Sequence, residues 1–235
     1  SLISLDLSNF DTSNVTTMER TFADCSSLVS LNLTNLITNK VVDMSYMFNS
    51  CKSLISIDIS GFNTSNVTNM EGMFGFCQKI VTLSLTNFNT SKVTKMANMF
   101  QECVSLIDLN LTSFDTSNVV DMRGMFQNCK SLTTINLLNF DTSNVTNMWR
   151  MFLNCSSLKE LDLSNFTTSK VTNMESMFHA CVSMTELDLS NFTTAESNLK
   201  GMFMYCEKIE ILNIRNFDFQ NVNNYENIFK QIKSN

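Results

Sequence analysis

Eight cysteines, Cys25, Cys51, Cys77, Cys103, Cys129, Cys155, Cys181 and Cys206, divide the chain at a step of 26 residues that shortens to 25 only at the last interval. A disulfide framework has no reason to space its members so evenly, whereas a structural unit that carries one cysteine does. Phe22, Phe48, Phe74, Phe100, Phe126, Phe152, Phe178 and Phe203 keep the same step, three residues ahead of each cysteine. The repeat therefore dictates the fold. Units start at Leu2, Leu28, Leu54, Ile80, Leu106, Leu132, Leu158 and Met184, and a degenerate ninth runs over 209–235. The whole chain, 1–235, reads as a single solenoid domain.

Each unit has two halves. In the fifth, Leu109 and Leu111 alternate with polar residues, which is the period of a short strand with one buried face. Val119, Met122, Met125/Phe126 and Cys129 then follow at steps of three or four, which predicts one face of a short helix. One unit buries too little surface to stand alone, so the units stack, with strands parallel at about 4.8 Å and nine rungs spanning roughly 40 Å. The corners are Asp-Thr-Ser-Asn or close relatives, as at Asp11 to Asn14, Asp115 to Asn118 and Asp141 to Asn144. Their side chains can satisfy backbone groups locally, and this explains how 5 Gly and no Pro suffice. A column of asparagines (Asn9, Asn35, Asn87, Asn139, Asn165, Asn191, Asn216) is expected to bond to backbone groups from rung to rung.

Composition excludes several function classes. Net charge is -6 and pI about 4.8, so the chain lacks the basic footprint of a nucleic-acid or anionic-membrane binder. No apolar run approaches the roughly 20 residues that span a bilayer, so no membrane insertion by this segment is expected. Equivalent cysteines on adjacent rungs stand about 4.8 Å apart, too far for the roughly 3.8 Å between Cβ atoms in a disulfide. No C-x-x-C pair offers zinc-ligand spacing. The thiols are expected to be free and buried, the Met and Phe columns to be core, and no metal or cofactor is implied. Enzymatic chemistry needs unlike groups at one point, and a repeat supplies like groups in lines. The single histidine, His179, is expected to be an exposed helix-side residue. No enzyme is indicated.

The run Leu-Asp-Leu-Ser-Asn-Phe-Asp-Thr-Ser-Asn-Val-Thr-Asn-Met-x-x-Met-Phe-x-x-Cys, read in pieces from Leu5 to Cys25 and from Leu161 to Cys181, resembles the repeat of BspA-like leucine-rich-repeat surface proteins of bacteria. The resemblance implies a non-enzymatic solenoid on the bacterial cell surface or outside the cell, serving adhesion or binding of a protein or glycoprotein on a host, matrix or neighbouring cell. The fold expected is an α/β leucine-rich-repeat-like solenoid of about nine 26-residue rungs, each with one short parallel β-strand and one short helix. A passive stalk or spacer is the alternative. An ice-binding solenoid is a remote one, suggested by the threonine column Thr12, Thr38, Thr64, Thr90, Thr116, Thr142, Thr168 and Thr194.

Binding is sought where the repeat varies, since solvent-facing columns are free to differ. On the strand face, Glu160, Asp162, Glu186 and Asp188 place four carboxylates on adjacent rungs. On the helix side, Arg123 and Trp149 share one column, with Arg150 beside them, a candidate cation–π anchor for a protein ligand. Asn-x-Thr matches at Asn14, Asn66, Asn144, Asn165 and Asn191 would crowd glycans on consecutive rungs, which favours a bacterial over a eukaryotic secretory origin. The eighth unit is one residue short within Thr193 to Asn198, so that corner must be rebuilt. The ninth, ending in Lys230, Gln231, Lys233, Ser234 and Asn235, is expected to cap the array. The first unit is already a full-strength repeat, so the chain is expected to be part of a longer array.

Overall fold

The computed structural model describes residues 2–7 and 9–232. The expected columns form one continuous core. Leu, Val, Met, Phe and Cys of successive rungs are buried from Leu7 to Ile228. The phenylalanines stack ring on ring from Phe22 to Phe203, with centroids 5.4–6.0 Å apart, an offset geometry that adds about 1 kcal/mol per pair beyond area burial.

Short strands pair in parallel as expected: β1 (Thr82–Ser84) with β2 (Asp108–Asn110), and β3 (Glu186–Asp188) with β4 (Ile211–Asn213). β1, β2 and β3 each bury a central leucine between two exposed residues. The other rungs run alongside, with single bonds such as Ile55 N–H to the Val29 carbonyl at 3.2 Å. The more continuous ladder is elsewhere. Parallel bridges link Thr17, Asp43, Asn69, Lys95, Asp121, Asn147, Asn173, Asn198 and Asn224 without a gap.

The expected helix does not form. Among the described residues the segment after each corner is a ribbon of overlapping turns. In the second unit the N–H groups of Met47, Asn49 and Cys51 bond three residues back, to the carbonyls of Met44, Tyr46 and Phe48. The N–H groups between them, of Met44, Tyr46, Phe48 and Ser50, donate to carbonyls of the next rung at Asn69, Glu71, Met73 and Gly75, 2.7–3.0 Å away. The physical reason is room. An α-helix is about 10 Å across with its side chains, and rungs whose phenylalanines repeat every 5.4–6.0 Å leave half of that. The three-or-four step of Val, Met, Phe and Cys is the step of these turns.

The ribbon requires left-handed backbone twice in each rung, at residues such as Tyr46 (φ 56) and Ser50 (φ 62), or Ser176 (φ 56) and Ala180 (φ 58). Glycine occupies such a position at Gly72, where an added Cβ would lie 2.5 Å from the Tyr46 ring. A left-handed non-glycine residue costs about 1–2 kcal/mol, and here the bonds to the next rung hold it in place.

The shortened eighth unit is rebuilt with one extra left-handed residue, Glu196 (φ 60), whose N–H donates to the Asn221 carbonyl. Ser197 then enters the buried valine column and donates its hydroxyl to the Val171 carbonyl at 2.6 Å. The ninth unit continues the stack, Phe229 lying 5.9 Å from Phe203 and Asn224 pairing with Asn198. Of its expected closing residues, Lys233, Ser234 and Asn235 lie outside the described residues.

Ala180→Gly separates turn ribbon from helix by the sign of its effect. In a helix the change destabilises by about 1 kcal/mol; at this left-handed position it is expected to stabilise by about 0.5–1 kcal/mol, once the glycine's greater unfolded entropy is set against the relieved strain. The urea midpoint reads the sign.

Candidate functional site

Most of the polar columns are used by the fold. Thr38, Thr64, Thr90, Thr116, Thr142, Thr168 and Thr194 are buried. Thr64 shows the pattern: its hydroxyl donates to the Asn89 carbonyl at 2.9 Å and accepts from the Asn89 N–H at 2.8 Å. These threonines thus present no exposed hydroxyl array, and the geometric basis of an ice-binding reading of that column is removed. From Asn87 to Asn216 the asparagine column bonds across rungs as expected: the Asn191 amide reaches the carbonyls of Leu163 and Phe166 at 2.9 and 2.7 Å. Several Asn-x-Thr amides are occupied in the same way, Asn66 on the Asn39 carbonyl and Asn144 on the Ser117 carbonyl.

The cysteines are free, and all but the half-buried Cys25 are buried. From Cys51 to Cys206 each thiol donates to the carbonyl of the preceding rung's phenylalanine, as Cys103 does to Phe74 at 3.1 Å. Burial pushes the pKa values of the Cys103, Cys155 and Cys206 thiols up to about 12. Among the described residues no three His, Cys, Asp or Glu side chains converge to hold a metal ion, and no helix is long and apolar enough to cross a membrane.

The strand-face carboxylates come together. Glu160, Asp162, Glu186 and Asp188 line one open groove of about 600 Å³ that also receives Leu161 and Ile211. Their roles differ. Asp162 and Asp188 accept the N–H groups of Ser164 and Ser190, at 2.9 and 2.8 Å; their pKa values are lowered, that of Asp162 by the backbone and then the side chain of Ser164, and that of Asp188 by the side chain and then the backbone of Ser190. Other rungs use asparagine at this place for the same turn, as Asn110 does with Thr112. Glu160 and Glu186 are exposed and make no ion pair among the described residues.

On the turn-ribbon side, Arg123 is engaged. Its guanidinium reaches over the rung of the small, buried Ala97 to Glu71 at 2.8 Å, and holds Asp121 at 2.7 Å. Glu71 also accepts the Tyr46 hydroxyl at 2.7 Å, and Arg20 lies 4.7 Å over the Tyr46 ring. The cation–π partner of Trp149 is its sequence neighbour Arg150, 4.2 Å from the ring centre. Both are half-buried. His179 is not the exposed residue expected: it is half-buried and edge-on to Tyr205 at 5.3 Å, with its pKa lowered by burial and then by Arg150.

One exposed column escaped the sequence reading. Ile3, Val29, Ile55, Val81 and Ile107 stand side by side on the strand face. The 26-residue step, which carries an Ile or Val at 3, 29, 55, 81 and 107, is the signal that could have revealed them.

A family model described as "Mycoplasma protein of unknown function, DUF285" matches residues 2–106, 55–139, 75–192 and 131–235. The chain belongs to that family. Its structure is similar to a leucine-rich repeat protein from Bacteroides ovatus, at 16% identity and TM-score 0.30 over 98% of this chain and 80% of that one. It is similar also to a leucine rich cell surface protein from Faecalibacterium prausnitzii, at 15% and 0.34 over 92% and 79%. A third similarity is to the functional domain of InlJ from Listeria monocytogenes, described as including a cysteine ladder, at 15% and 0.33 over 99% and 48%. No curated protein matches the chain in sequence.

The thiols give a pH prediction. A group whose folded pKa is raised stabilises fully below its unfolded pKa, near 9, and that contribution is lost as pH rises toward about 12. Stability is expected to hold at pH 7–8 and to fall above pH 9 by up to about 1.4 kcal/mol per pH unit for each buried thiol. Urea unfolding at pH 8 and pH 10.5 measures the fall, and Cys103→Ser with Cys155→Ser should make it shallower.

Proposed function

We propose that the chain is a non-enzymatic protein-binding repeat module, BspA-like in its repeat, displayed on a bacterial cell surface or outside the cell. Its ligand is a protein or glycoprotein on a host, matrix or neighbouring cell. The observation that carries this reading is the division between used and unused columns. Buried Thr and Cys, the rung-bridging Asn and the turn-forming Asp residues are engaged within the solenoid, while among the described residues the strand face leaves Glu160 and Glu186 without ion pairs, with an exposed Ile/Val column on the same face. Repeated like groups in lines suit an extended contact and not a converging catalytic centre.

The spacer reading also has an observation behind it. The phenylalanine stack and the parallel bridges pass through the rungs without a break, as a stiff stalk requires. The two readings separate in a screen of immobilised host and bacterial surface proteins and glycoproteins. A binding module gives saturable binding; a stalk gives none. In a positive screen, the set Glu160→Gln, Asp162→Asn, Glu186→Gln, Asp188→Asn keeps the turn acceptors and removes the charge, and is expected to weaken binding at least tenfold. Arg123→Ala with Trp149→Ala tests the opposite side. If neither set matters, both patches are excluded as the contact.

A further inference from the structure

The strand face is amphipathic along its length. At one end Ile3, Val29, Ile55, Val81 and Ile107 form a single apolar column, each 37–63% exposed. Five rungs at about 4.8 Å make that column roughly 20 Å long. The next members of the column are Thr133, Lys159 and Thr185, so the apolar stripe stops where the carboxylates begin. At the far end the groove of about 600 Å³ has Leu161, Leu187 and Ile211 among its lining and Glu160, Glu186 and Asp188 around them. An apolar floor with carboxylates beside it matches a lysine or arginine side chain, which lays its methylene stem on apolar surface and keeps its charge at the tip.

Charge complementarity defines the occupant. Asp58, Asp108, Glu160, Asp162, Glu186 and Asp188 all lie on this face, where they outnumber the basic residues beside them, Lys159 and Arg215. The turn-ribbon side differs: there Arg123 is neutralised by Glu71 and Asp121, and Lys200 pairs with Glu226 at 3.2 Å. Spacing defines its shape. An α-helix lying along the solenoid presents one residue per turn every 5.4 Å, close to the rung step of about 4.8 Å, whereas alternate residues of an extended chain fall about 6.8 Å apart.

We propose that the strand face docks a cationic amphipathic helix of a partner protein, its apolar stripe on Ile3 to Ile107 and its basic end in the groove between Glu160 and Ile211. The helix N-terminus lies over the carboxylates, where its positive dipole end adds to the attraction. The proposal rests on the protein-binding reading and names the chemistry of the partner.

The probe is a fluorescein-labelled helical peptide of about 26 residues, some 39 Å long, enough to span the roughly 38 Å of eight rung steps, with leucines along one face and four lysines in its first two turns. Fluorescence anisotropy with this chain is expected to show saturable binding that falls at least tenfold in Glu160→Gln/Glu186→Gln and at least tenfold in Ile55→Thr/Val81→Thr. Both pairs are exposed, and an unchanged urea midpoint confirms that they fold. Binding should weaken with added salt and be lost when glutamates replace the lysines. No binding, equal binding of the glutamate peptide, or indifference to either variant pair overturns the proposal. So does capture of phosphatidylcholine vesicles in place of the peptide, which would make the stripe a lipid contact. A ligand from the surface-protein screen whose binding ignores both variant pairs leaves the protein-binding reading standing and removes this one. An empty screen removes the former, while the peptide titration still decides the latter.

Discussion

The distance between rungs governs this molecule. Equivalent phenylalanines repeat every 5.4–6.0 Å, and backbone bonds cross from rung to rung along both the strand face and the turn ribbon. At that separation each backbone path must nearly coincide with its neighbour, and a helix is too wide to take part. The chain resolves the conflict by sending alternate N–H groups to the next rung and closing turns with the rest. Left-handed residues such as Ser50 and Ala180 follow from that choice.

The same constraint decides the chemistry. Whatever one rung places at a position, the next places beside it, so polar side chains in the interior meet their own kind or a neighbouring carbonyl. Threonine hydroxyls, cysteine thiols and asparagine amides answer by bonding to backbone, and they bridge rungs as they do so. A thiol that donates to a carbonyl and whose pKa is pushed up by burial is a small core group. Variation is left to the exposed columns, and the predominantly acidic strand face is where it accumulates.

Much of this was legible in the chain itself. The rung count, the columns of Leu, Val, Met, Phe and Cys, the rung-to-rung asparagine bonds and the rebuilt eighth corner all follow from the 26-residue step. The helix was misread because apolar steps of three and four describe a turn ribbon as well as a helix, and hydrophobic periodicity says nothing of φ. Asp162 and Asp188 looked equivalent to Glu160 and Glu186 by charge, yet two of the four carboxylates hold turns. Arg123 looked free because its partner Glu71 lies 52 residues away, across an intervening rung.

The sequence by itself determined that this protein is a stack of about nine units, and that the recurring Leu, Val, Met, Phe and Cys columns form its core, because one unit cannot bury them alone and must stack on its neighbours. Tertiary structure alone decided the path of the backbone between those residues, and which polar groups remain for a partner. A left-handed turn is unfavourable in isolation and persists here only through bonds to the adjacent rung, so its presence is a property of the stack and cannot be read from any single unit.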